Sequence, residues 1–107
     1  MTVQQNKILE GIKALLRTTL PSHGEALLYG SQARGDNRSD SDWDILILID
    51  KDKVSLVENS AITYPLVLFG WDNGIEINPV LYTKKEWNAY HNTPFYENVT
   101  RDGMKIA

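Results

Sequence analysis

The chain has no cysteine, which excludes a disulfide framework, a thiolate zinc site and a cysteine nucleophile. It has no apolar run near the roughly 20 residues that a membrane helix requires, so no membrane partner is expected. It also lacks an excess of basic charge: 11 Lys and Arg against 14 Asp and Glu leave a net charge of -3. Affinity for a nucleic acid backbone comes from neutralised phosphates, so non-specific nucleic acid binding is not expected, and any polyanion handled should be small or accompanied by metal ions. No repeat, low-complexity tract or Pro/Ser-rich linker interrupts the sequence, and Gln4, Gln5, Asn6 and Lys7 leave no hydrophobic region for an export signal. The expectation is one cytoplasmic domain over residues 1–107. For 12.2 kDa, surface scaling gives roughly 6,000 Å² folded against roughly 17,700 Å² unfolded, enough burial for a single core without staples.

What is present reads as alternating helices and strands. Ile8, Leu9, Ile12, Leu15 and Leu16 recur at helical spacing until Pro21, predicting an amphipathic helix over 4–19. The apolar run 25–29 ends in Gly30 and predicts a buried strand entering a tight turn, followed by a polar loop from Ser31 to Ser41. Residues 45–49, Ile-Leu-Ile-Leu-Ile, predict a central strand buried on both faces and beginning near Trp43. Ser55 and Glu58 can form a capping box for a helix over about 54–68, locally weakened by Pro65. After the Asn73-Gly74 turn, residues 75–82 have strand character, with Pro79 suggesting an edge. Thr83 and Glu86 cap a short helix holding Trp87 and Tyr90, and Thr93-Pro94 opens a last helix to about Thr100.

The chemistry concentrates just before the central strand. Asp42 and Asp44 are two apart, so on an extended backbone both carboxylates leave the same face, about 6.6 to 6.8 Å apart at Cα. Their repulsion is relieved by divalent cations, and carboxylates so placed can bridge metal ions about 3.5 to 4 Å apart, the spacing used for in-line phosphoryl displacement. Taken alone, such a pair is also what a solvated strand start would carry. Gly30 permits close backbone approach and Ser31 offers a hydroxyl and an amide to a phosphate, while Arg34 and Arg38 could bind phosphate oxygens or pair with Asp36 or Asp40. A P-loop is rejected, because Asp36 and Asn37 stand where Lys and Ser/Thr are required. An EF-hand starting at Asp40 is rejected for its Ile45 and Lys51. Glu76 is an acid flanked by Ile75 and Ile77, suited either to a site or to an exposed strand edge. His23 and His91 lack ligand spacing and read as turn or surface residues. Trp43, Trp71 and Trp87 read as core, with Trp43 notable for its place between the acids.

Gly30-Ser31, Ala33-Arg34-Gly35 and then Ser41-Asp42, Asp44-Ile45, with ten residues between Ser31 and Asp42, resemble the minimal nucleotidyltransferases of the DNA polymerase beta-like superfamily. The resemblance extends to the strand with Glu76 and to the helix start at Thr83. It implies an α+β fold with a small mixed sheet and helices. It further implies that Gly30 and Ser31 hold a triphosphate, that Asp42 and Asp44 ligate two Mg²⁺ ions (or Mn²⁺), and that Glu76 is the third carboxylate, where the family more often has Asp.

The resemblance implies transfer of a nucleoside monophosphate from an NTP, with ATP expected, to an acceptor hydroxyl. Larger relatives carry acceptor-recognising domains; here a partner chain, a homo-oligomer surface or the acceptor protein itself is the expected substitute. The shortness of the chain points within the family to antitoxins that adenylylate a HEPN-type toxin. The alternative is a binding module of the same fold that neutralises or scaffolds a partner by contact alone.

Overall fold

The computed structural model describes residues 1–35 and 41–107. Nine elements follow in chain order: α1 (Val3–Thr19), β1 (Glu25–Tyr29), α2 (Ser31–Arg34), β2 (Trp43–Ile49), α3 (Leu56–Asp72), β3 (Ile77–Thr83), α4 (Lys84–Ala89), α5 (Pro94–Asp102) and β4 (Met104–Lys105). They build a four-stranded mixed sheet in the order β3-β2-β1-β4. β1 runs antiparallel to β2 and to β4, whereas β2 and β3 are parallel. The parallel pair needs a crossover, and α3 supplies it.

β2 is central because it can be: five of its side chains in succession, Ile45 to Ile49, are apolar and buried. Ile45, Ile47 and Ile49, with Trp43, face a core built with Ile8, Leu9, Ile12 and Leu16 of α1 and Ile62 and Leu66 of α3. Complete burial of Ile12 and Leu16 is worth about 1.5–3 kcal/mol each, far more than the intrinsic helix preference of α1. Leu46 and Leu48 point the other way, onto Trp87 of α4 and Val99 of α5, with Tyr29, Tyr82, Phe95 and Tyr96 packed around them. Those two short helices cover only part of that face.

Thr2 caps α1 by accepting from the Gln5 amide, and the Gln5 side chain accepts from the Thr2 amide in return. Thr83 and Glu86 repeat the device on α4, and Thr93 caps α5 with Pro94 at its first position. Several sequence expectations need correction. The stretch expected as loop begins with the one-turn helix α2, because Gly30 turns the chain and its carbonyl accepts from the amides of Ala33 and Arg34. α3 continues past Pro65 to Asp72, since the hydrogen bond proline removes is outweighed by burial of Ile62, Leu66 and Gly70. β3 begins at Ile77 and leaves Glu76 outside the strand. β4, too short for any periodicity, closes the sheet's other edge beside Leu27 and Leu28. Pro79 lies on an edge strand as its missing amide requires. Trp43 and Trp87 are core, but Trp71 is 66% exposed, on the side of α3 turned away from the sheet. Among the described residues no helix is long and apolar enough to cross a membrane.

Candidate active site

The antiparallel register sets Tyr29, the last residue of β1, opposite Asp44 near the start of β2. Gly30 therefore turns directly beneath the Asp44 side chain. Its backbone, at φ 77° and ψ -159°, lies in a region essentially reserved for glycine. A Cβ built on it would lie 2.6 Å from Asp44 Oδ2. Glycine here serves two purposes: it allows the turn into α2, and it vacates the space the carboxylate occupies.

Asp42 and Asp44 share the face of β2 that carries Leu46 and Leu48, opposite to Trp43. Asp42 is exposed and Asp44 half-buried. Between them stands a residue that sequence reading passed over. The parallel register pairs Asp44 with Asn78 of β3, and Asn78 Nδ2 donates to Asp42 Oδ2 at 3.2 Å and to Asp44 Oδ1 at 3.4 Å. An amide spanning two carboxylates partly relieves their repulsion.

The structure does not bring Glu76 into this set. Its carbonyl accepts from the Trp43 amide at 2.9 Å, which extends the parallel ladder one rung and sets Glu76 level with Asp42, but its side chain is exposed. Among the described residues no group of three or more acids or histidines is close enough to hold a metal ion. The side chain that lies against both Asp42 and Asp44 is that of Asn78. Strand alternation could have suggested it, since Asn78 follows Glu76 by two and faces the same way; only the register shows which of the two meets Asp44.

Ser31 opens α2 immediately after Gly30, half-buried beside the acids' turn. Arg34, exposed at the end of α2, has Nη1 3.5 Å from Asp102 Oδ2 on α5. The Arg101 guanidinium chiefly, with Arg34 adding, holds the Asp102 carboxyl below the usual carboxylate range. Arg38, Asp36 and Asp40 lie outside the described residues. Gln32, almost fully buried, donates from Nε2 to the Ser41 carbonyl at 3.1 Å and so ties α2 to the approach to β2. His23 sits in a turn at φ 64°. His91 Nδ1 lies 2.9 Å from the Asn88 carbonyl at a helix end.

Tyr29 joins the acids to the aromatic cluster below them. Its ring meets Phe95 edge-on at 5.5 Å, and Trp87 packs in turn against Phe95 and Tyr96. Burial first, then the charge of Asp44 and then Tyr82, push the Tyr29 phenol up to about 12. It is neutral at physiological pH.

The donor set fits a hard divalent cation: two carboxylates on one face with a neutral side-chain amide beside them, and no soft donor among the described residues there. The cradle formed where Gly30 lacks a Cβ leaves Asp44 Oδ2 beside a main-chain turn suited to phosphate.

Comparison with known proteins agrees with this geometry. Residues 6–98 match the family model described as "Nucleotidyltransferase domain". The chain is 30% identical over 103 residues to the Methanocaldococcus jannaschii protein named "Putative protein adenylyltransferase MJ0604", covering 96% of this chain and 97% of that one. In fold it resembles a toxin-antitoxin crystallised with AMP-PNP, with a TM-score of 0.61 and 21% identity over 96% of this chain and 72% of the other. It likewise resembles a mutant of the toxin-antitoxin MntA-HpeT, with a TM-score of 0.59 and 18% identity over 96% and 71%.

Proposed function

Because the chain belongs to the nucleotidyltransferase domain family, we propose that it transfers AMP from ATP to a hydroxyl group of a partner protein, and that the partner is a toxin which the transfer neutralises. The observation that carries this reading is the meeting of Gly30 with Asp44 across the β1–β2 register, with Asp42 joined to Asp44 through Asn78. Support for AMP and for a protein acceptor comes from the relative named as a protein adenylyltransferase. The two toxin-antitoxin structures, one with AMP-PNP, support a nucleotide ligand and a toxin, of the HEPN type that the sequence resemblance implies.

Nucleotidyltransferases of this family generally use divalent metal ions; Asp42 and Asp44 would hold Mg²⁺, with Asn78 beside them, and the ion would supply charge neutralisation at the phosphates. Gly30 and Ser31 present main-chain and hydroxyl donors to the triphosphate, and Arg34, at the end of α2, adds a cationic fork; the same role is proposed from the sequence for Arg38, which lies outside the described residues. The acceptor oxygen attacks the α-phosphorus, the bond to the β-phosphate bridging oxygen breaks, and pyrophosphate leaves. Glu76, exposed and level with Asp42, accepts the hydroxyl proton from the solvent side.

One observation favours a second reading. With Asn78 rather than an acid beside the two aspartates, a chain that neutralises its partner by contact alone needs no chemistry from this site. Incubating the chain with its partner and ATP labelled at the α-phosphate decides between them. Transfer predicts label on the partner from α-labelled but not γ-labelled ATP; neutralisation with no label from either overturns it.

A further inference from the structure

Between Glu58 and Asp72 α3 carries no charged side chain, and Asn59, Ser60 and Thr63 apart its circumference is apolar or aromatic; a helix apolar on most sides is ordinarily covered on most sides. Ile62, Leu66 and Gly70 turn to the core. The opposite side bears Val57 (80% exposed), Tyr64 (53%), Leu68 (38%) and Trp71 (66%), with exposed Ala61 among them. Spacings of four, three, four and three residues set these five on one narrow seam, the repeat of helices that pack side by side at about +20°.

We propose that this seam is where a second copy of the chain docks, α3 against α3, antiparallel about a two-fold axis at Tyr64. The seam is self-complementary. Reversal about Tyr64 sets Val57 opposite Trp71 and Ala61 within one residue's rise of Leu68, so each small residue faces a large one. Pro65 has no amide hydrogen to give the Ala61 carbonyl, which leaves an acceptor in the seam suited to the Tyr64 hydroxyl of the second copy. Antiparallel pairing also sets Asp72, at the negative end of one helix, beside the positive N-terminal end of the other and its exposed Lys53.

Area and position agree. Scaled by side-chain size, the exposed seam offers roughly 500 Å² per copy, so the pair removes about 1,000 Å² before flanking residues are counted, the level a specific interface must reach. The seam lies on the far side of the sheet from Asp42 and Asp44, because α3 packs on the face with Trp43 and Ile45. Pairing therefore leaves both sites open, whereas a protein docked on the seam could not bring a hydroxyl to the acids beside it. In excluding a partner protein from the seam the inference rests on the proposed transfer, whereas the pairing test that follows reads the seam's register alone.

The register gives a specific test by sedimentation equilibrium with circular dichroism as the check on folding. Parent chain should sediment at twice the chain mass at tens of micromolar. Ala61→Glu and Leu68→Lys, each alone, should halve that mass, since each places two unpaired charges in the apolar seam. Mixed in equal amounts they should recover it, because in the mixed pair the new carboxylate meets the new ammonium at one contact while the other keeps native Ala61 and Leu68. A monomeric parent, or folded single variants that do not associate on mixing, would overturn the proposal.

Discussion

The Oδ2 atom of Asp44 occupies the space that the Cβ of any residue other than glycine would need at Gly30, with a built Cβ only 2.6 Å away. The turn's conformation and the carboxylate's position are thus one constraint. Gly30→Ala should destabilise the fold by about 1–3 kcal/mol from backbone strain alone. It should also weaken Mg²⁺-dependent ATP binding by displacing Asp44. Denaturant unfolding and titration calorimetry measure the two effects separately; unchanged binding would show that the close approach is incidental.

Asn78 donates to both Asp42 and Asp44 and so offsets part of their mutual repulsion. Asn78→Asp should lower the melting temperature in EDTA, because three like charges then gather, and should make that temperature rise more steeply with Mg²⁺ than the parent's, because the cation gains a charged ligand. Thermal melts across a Mg²⁺ series read both. A variant indifferent to Mg²⁺ would remove Asn78 from the cation site.

Much of this was legible beforehand. The capping residues Thr83, Glu86 and Thr93 announce α4 and α5, and the run Ile45–Ile49 announces the central strand, because both are local signals. Gly30, Ser31, Asp42 and Asp44 are legible as a constellation because the spacing of the motif is itself local. Asn78 was not, since its place depends on a parallel register set by α3, and strand alternation alone cannot choose between it and Glu76. The exposure of Trp71 is not legible for a related reason: hydrophobicity says that a tryptophan prefers cover, but not whether its own chain provides that cover.

Tyr29 offers a probe of the site through pH. Its folded pKa of about 12 exceeds the ordinary 10.0, so the neutral phenol contributes stability that is full below pH 10 and lost as pH rises toward 12. Tyr29→Phe should flatten the alkaline fall in stability across that window. Asp44→Asn should lower the Tyr29 value without restoring it to 10.0, because burial is the larger cause. Phenolate absorbance during alkaline titration follows both.

Glu76 stands at the rim, so its loss should fall on chemistry more than on binding. For Glu76→Gln, ATP affinity within a few fold of the parent and transfer slowed by about tenfold, roughly 1.4 kcal/mol, are expected. Glu76→Asp should retain more activity than Glu76→Gln. Single-turnover kinetics separate the two steps, and an unchanged rate would remove Glu76 from the reaction.

Label transfer from α-labelled ATP, measured for the parent and for Asp42→Asn/Asp44→Asn side by side, tests most directly whether these two carboxylates carry nucleotidyl transfer. The double variant keeps side-chain size and loses like-charge repulsion, so its circular dichroism and melting temperature should match or slightly exceed the parent's. Its transfer should fall at least about a hundredfold, equivalent to about 2.7 kcal/mol of transition-state stabilisation. Transfer by the folded double variant at the parent's rate would contradict the assignment of Asp42 and Asp44.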